Sequence, residues 1–94
     1  MKAFQLLTHG APGQFALRDV PDPTPGPGEV VVEVVACGLN HLDLWFEAGA
    51  LPVPVKLPRT PGCEIGGRLA AVAPDVGGWQ PGDRVAVQSN IFCA

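Results

Sequence analysis

Residues 29–49, Glu29-Val30-Val31-Val32-Glu33-Val34-Val35-Ala36-Cys37 followed by Gly38-Leu39-Asn40-His41-Leu42-Asp43-Leu44-Trp45-Phe46-Glu47-Ala48-Gly49, decide the fold. The first nine are dominated by β-branched valine, which fits a pleated, half-buried surface. Alternation puts Val30, Val32, Val34 and Ala36 on one apolar face and leaves Glu29 and Glu33 on a mixed second face, as expected of a partly buried strand. At Gly38 the period changes. Leu42, Trp45 and Phe46 stand at i, i+3 and i+4, which predicts one short helix stopped by Gly49. Asn40 is its N-cap candidate, and Asp43 three residues later suits a variant capping box and the positive helix end.

On the N-terminal side of this stretch, Lys2 to Leu7 and Gln14 to Val20 read as two strands. The turn chemistry of Gly10 to Gly13 between them predicts a hairpin. Pro21-Asp22-Pro23-Thr24-Pro25-Gly26-Pro27-Gly28 follows and removes four backbone donors, so it is an extended connection. On the C-terminal side, Leu51 to Pro61 carries four prolines and reads as a surface loop. Cys63 to Ala73 and Arg84 to Gln88 return to strand character, separated by Pro74-Asp75-Val76-Gly77-Gly78 and Pro81-Gly82-Asp83. The expectation is a mainly β domain of five strands and one helix.

The chain has 94 residues, 47% of them apolar, with nine acidic and six basic side chains and a net charge of −3. This size supports one domain with one core. Scattered Lys and Arg in an acidic chain argue against nucleic-acid binding, which needs clustered cations. No run approaches the ~18 apolar residues of a membrane span, and the N-terminus lacks the apolar core of a signal peptide, so a soluble cytoplasmic protein is expected. Three cysteines, Cys37, Cys63 and Cys93, are too few and too far apart for a disulfide framework. Cys37 within a strand is expected to be a buried small apolar residue. Gly62-Cys63-Glu64-Ile65-Gly66-Gly67 imitates a dinucleotide fingerprint, but its glycine spacing is wrong and a strand follows it instead of a helix.

Four blocks occur in order: Val20-Pro21-x-Pro23 leading to Pro27-Gly28-Glu29-Val30-Val31-Val32, then Cys37-Gly38-Leu39-Asn40-His41-x-Asp43, Pro61-Gly62-Cys63-Glu64-x-x-Gly67, and Gly82-Asp83-Arg84-Val85. Together they resemble the N-terminal domain of the medium-chain dehydrogenases/reductases. The resemblance implies that residues 1–94 form a single GroES-like domain, a partly open β-barrel on the substrate side of a cleft. The NAD(P)-binding Rossmann domain of such enzymes comes later in the chain, so the 94 residues by themselves are expected to be an inactive part of an oxidoreductase.

In zinc-dependent members the second block carries a zinc-binding Cys and a proton-relaying hydroxyl. Here those positions are Asn40 and Leu42. The next ligand of such enzymes, a His followed by Glu, corresponds to Cys63 and Glu64. A neutral amide oxygen is a poor substitute for a thiolate as a zinc donor. Asn at this position instead resembles zinc-free quinone oxidoreductase-like members, where it lies beside the nicotinamide.

The resemblance therefore implies Asn40, Cys63 and Glu64 as catalytic residues and Asn40 and His41 as cofactor contacts, with no catalytic metal. Cys63 and Glu64 remain the alternative variant zinc ligands of an alcohol dehydrogenase, and Cys93 stands where many members begin a structural zinc lobe. The expected reaction is hydride transfer from NAD(P)H to a small quinone or enone; other carbonyls or alcohols are the neighbouring substrates. A homo-oligomeric full protein is expected. A stand-alone GroES-like co-chaperonin is the competing class, but it leaves the Cys-Gly-x-Asn-His-x-Asp block unexplained. Other readings of single residues are structural: Asn40 as a helix cap, His41 as a solvated ring, Asp83-Arg84 as part of a turn, and Glu64 as the partner of Arg59, Arg68 or Arg84.

Overall fold

The computed structural model describes residues 1–89 of the chain. The strands are β1 (Lys2–Thr8), β2 (Gln14–Asp19), β3 (Val30–Gly38), β4 (Glu64–Val72) and β5 (Arg84–Ala86), and the one helix among the described residues is α1 (His41–Ala48). The sequence thus predicts each element to within a residue or two at its ends. β5 alone is clearly shorter than expected and stops before Val87 and Gln88. Cys93 lies outside the described residues.

Residues 1–21 and 39–62 form one compact unit. In it β1 and β2 pair antiparallel, with Lys2 opposite Asp19 and Leu6 opposite Phe15. The Lys2 ammonium lies 2.8 Å from the Asp19 carboxylate, but both side chains are exposed and such a pair contributes less than about 1 kcal/mol. Leu6 contributes more. It is fully buried, and its backbone also bridges to Arg59, donating to the Arg59 carbonyl at 2.8 Å and accepting from the Arg59 N–H at 3.1 Å. The proline-rich loop is thereby tied to the hairpin, so it is held by two backbone hydrogen bonds in spite of its missing donors.

Residues 22–38 and 63–89 belong to the second unit, an antiparallel sheet in the order β3-β4-β5. Leu69 and Ala73 are its buried apolar residues. Gly28 adopts φ 74° and donates its N–H to the Asp75 carboxylate at 3.0 Å, which closes the end of β3 onto the turn after β4. Asp83 is structural as expected: its carboxylate accepts the Gln80 N–H at 3.0 Å across a turn whose Gly82 has φ 93°.

Two corrections concern β3. The strand is not a simple alternation, because its register against β4 shifts between Val31 and Val32 and again between Val34 and Ala36. Each irregularity places an extra residue on one strand and resets which face the next side chains take. Val31 and Val32 are consequently half-buried, whereas Val34 and Ala36 are exposed. Cys37 follows these shifts and is exposed, not buried.

Candidate functional site

Asn40 and His41 sit where α1 begins. Asn40 is the N-cap, with extended backbone at φ −133° and ψ 157°. The Asp43 carboxylate accepts the Asn40 backbone N–H at 2.9 Å, and the Asp43 N–H donates to the Asn40 carbonyl at 3.0 Å. Asp43 therefore carries out the role expected at the third helical position and brings a negative charge to the positive helix end. At the other end Gly49 is left-handed with φ 77°, and its N–H reaches the Phe46 carbonyl at 3.2 Å. His41 is exposed and lies edge-on to Trp45, with ring centroids 4.8 Å apart.

Cys63 and Glu64 belong to the second unit. Cys63 is half-buried with a free thiol. Glu64 opens β4 opposite Gly38, and a Cβ built at residue 38 would overlap the Glu64 carboxylate. A glycine there keeps the space that the carboxylate occupies. The proposed pairs Asn40/His41 and Cys63/Glu64 are thus each adjacent along the chain, and each is placed by the first residues of a regular element. Among the described residues, no three His, Cys, Asp or Glu side chains gather as a metal site. No helix among them is long and apolar enough to cross a membrane.

Sequence reasoning missed His9. Its Nδ1 is 3.0 Å from the Phe46 carbonyl and 3.3 Å from that of Glu47. Carbonyls only accept, so Nδ1 carries a proton and the ring satisfies the C-terminal carbonyls of α1. The Gly10 N–H donates to the Glu47 carbonyl at 3.0 Å, and the Gly13 N–H to the Glu47 carboxylate at 2.8 Å. The hairpin turn is therefore bound to the end of the helix. A recess of about 390 Å³ opens beside it, lined by His9, Phe46, Leu51, Val53 and Val55 among others. Nothing in the local pattern around residue 9 announces a partner 37 positions away.

Comparison with known proteins gives a consistent answer. The family model of the alcohol dehydrogenase GroES-like domain matches residues 26–94. A quinone oxidoreductase of Lama guanicoe is 34% identical over 92 residues, which is 97% of this chain and 28% of that protein. Among solved structures, Escherichia coli quinone oxidoreductase complexed with NADPH superimposes with a TM-score of 0.85 at 27% identity, over 98% of this chain and 28% of that one. A cobalt- and zinc-bound thermostable alcohol dehydrogenase from Pyrobaculum aerophilum gives a TM-score of 0.82 at 34% identity, over 99% and 28%. The chain thus spans little more than a quarter of the length of these proteins. Likeness reaches metal-bound and NADPH-bound relatives alike, so the choice between them rests on individual residues.

Proposed function

Because the chain belongs to the alcohol dehydrogenase GroES-like domain family, we propose that it is the substrate-side domain of an NAD(P)H-dependent oxidoreductase that reduces quinones or enones without a catalytic metal. The observation that carries this reading is the pair Asn40 and Leu42. These positions supply a thiolate and a hydroxyl in the zinc-type members that the second sequence block resembles. Here they supply a neutral amide and an alkyl group, neither of which binds zinc well or relays an alcohol's proton. Cys63 and Glu64 remain at the other ligand-like positions, without the first thiolate that the zinc-type block supplies. An amide in place of that thiolate and an alkyl group in place of the hydroxyl do not fit a catalytic zinc.

NAD(P)H, when bound, supplies a hydride; this chain's residues orient and polarise. Asn40, whose backbone N–H is held by the Asp43 carboxylate, brings a neutral amide to the start of α1, a group suited to holding a carboxamide or a substrate carbonyl in register. His41 offers an exposed imidazole N–H to the phosphate side of the cofactor. The pyrophosphate itself belongs outside this chain, since the donor-rich start of α1 already faces the Asp43 carboxylate and no glycine-rich phosphate loop precedes it. Cys63 and Glu64 line the substrate side. Glu64 keeps its carboxylate over Gly38, where a larger residue would displace it.

The competing reading makes Cys63 and Glu64, with a later residue, a thiolate–carboxylate zinc site. Metal analysis of the purified full-length protein and of its Cys63→Ser variant separates the two. We expect the variant to hold the same amount of zinc per chain as the parent, because no zinc depends on this thiol. Loss of one zinc per chain on substitution would defeat the metal-free reading and install the alcohol dehydrogenase one.

A further inference from the structure

We propose that Arg68 and Arg84 form a binding site for a phosphate group on the three-stranded sheet. The register sets Glu33 of β3 opposite Arg68 of β4, and Arg68 opposite Arg84 of β5, so the three side chains form one row across the sheet. Like charges directly opposite one another destabilise a ladder. The chain has only six basic residues and a net charge of −3, and it nonetheless places two arginines in this relation. Both are exposed. Among the described residues, Glu33 makes no ion pair with either arginine, so the guanidinium N–H groups of Arg68 and Arg84 keep their donors for a ligand.

Beside the row the surface falls into a recess of about 310 Å³, lined by both arginines with Ala36, Gly66, Gly67 and Val85. Ala36, Gly66 and Ala86 are register partners and form the next row of small residues. The floor is therefore low, and the guanidiniums rise at one end of it. A guanidinium offers a planar fork that binds two oxygens. One fork suffices for a carboxylate, whereas two forks on neighbouring strands suit a phosphate, which has oxygens enough for both. The recess has room for more than a lone phosphate, so it also accommodates a phosphate ester whose body lies over the alanine and glycine floor. This inference does not depend on the proposed oxidoreductase activity.

The test is an NMR titration of the 94-residue chain with inorganic phosphate at constant ionic strength, followed at the Arg68 and Arg84 side-chain N–H and the Gly66 and Gly67 amide resonances. Acetate and chloride are the comparison anions. The expected result is saturable shifts with phosphate, weaker binding of acetate, and none of chloride beyond an ionic-strength effect. R68Q or R84Q weakens phosphate binding about tenfold, the effect of losing one charge-assisted hydrogen bond. E33Q strengthens it about threefold by removing the nearby carboxylate. All three substitutions are on exposed side chains, and the amide spectrum itself reports that each variant remains folded. Equal response to acetate or chloride, or saturable phosphate binding that persists in the R68Q/R84Q double variant, would overturn the site.

Discussion

Leu6→Ala is expected to lower the unfolding free energy by about 2–5 kcal/mol, the cost of deleting a buried leucine side chain and leaving a cavity. Leu6 is 0% exposed and is the only large side chain among the described residues to be fully enclosed. Its δ1 carbon lies against Gly13, where an added Cβ would come within 2.9 Å. Its backbone is fastened on both sides, to Phe15 in β2 and to Arg59 in the proline-rich loop. The site therefore has little freedom to collapse around a smaller residue, which favours the upper part of the range. With a total stability of about 5–15 kcal/mol for a protein of ordinary stability, the variant loses a large share of it. Urea unfolding followed by circular dichroism measures the change. A shift in midpoint equivalent to less than about 1 kcal/mol at unchanged slope would show that Leu6 does not anchor the first unit.

Gly67→Ala is the second large effect, and its cause is the opposite one. Gly67 stands opposite Val34 in β3 and Val85 in β5, in the middle strand of the sheet. A Cβ at this position would overlap the Glu33 carbonyl oxygen and approach the Val32 side chain to 2.9 Å. The obstructing oxygen is part of the backbone of a paired strand, so it has no rotamer by which to move aside. Overpacking typically costs about 1–3 kcal/mol, and the upper end is expected where the obstruction is main chain. The β3–β4 ladder then opens or shifts locally. Amide hydrogen exchange should show lost protection from Val32 to Val34 and in β4, while β1 and β2 keep theirs; unchanged protection in β3 would contradict the packing argument.

Much of this architecture is legible in the residues because local signals agree there. Asn40, Asp43 and Gly49 mark the start, first turn and stop of α1, and the structure uses each in that capacity. The hairpin follows from Gly10 to Gly13 between two apolar runs, and the Pro81-Gly82-Asp83 turn from residues that hold positive φ and accept a backbone N–H. What escaped the sequence is what pairing decides. The two register shifts in β3 arise where β3 meets β4, so they turn Val34, Ala36 and Cys37 outward against a pattern that reads as regular alternation. β5 is regular only over Arg84–Ala86, although β4 runs on beside it and the Val87 N–H still donates to the Ile65 carbonyl at 2.9 Å.

The candidate site divides in the same way. Asn40 is readable as a cap from its neighbours alone, and its functional meaning enters through the block Cys37-Gly38-Leu39-Asn40-His41-x-Asp43, where the residue that is absent, a cysteine, is as informative as the one present. Gly38 marks in the sequence only the point where the strand period changes; that it makes room for the Glu64 carboxylate emerges only from a pairing across 26 residues. His9 is the extreme case, since the helix end it satisfies is contributed by Phe46 and Glu47. The Arg68–Arg84 row was equally hidden. Two strands separated by turns had to be placed side by side, in register, before two isolated arginines became a pair.

The central claim, metal-independent NAD(P)H reduction of a quinone or enone by an enzyme containing this domain, is tested most directly by turnover in the presence of a chelator. The full-length protein is dialysed against EDTA and assayed for NADPH oxidation with p-benzoquinone, beside NADP⁺ reduction with a primary alcohol. The account predicts quinone-dependent oxidation that survives dialysis undiminished, with no alcohol-dependent reduction before or after it. Alcohol oxidation that disappears on dialysis and returns with added zinc would contradict the account and make Cys63 and Glu64 metal ligands after all.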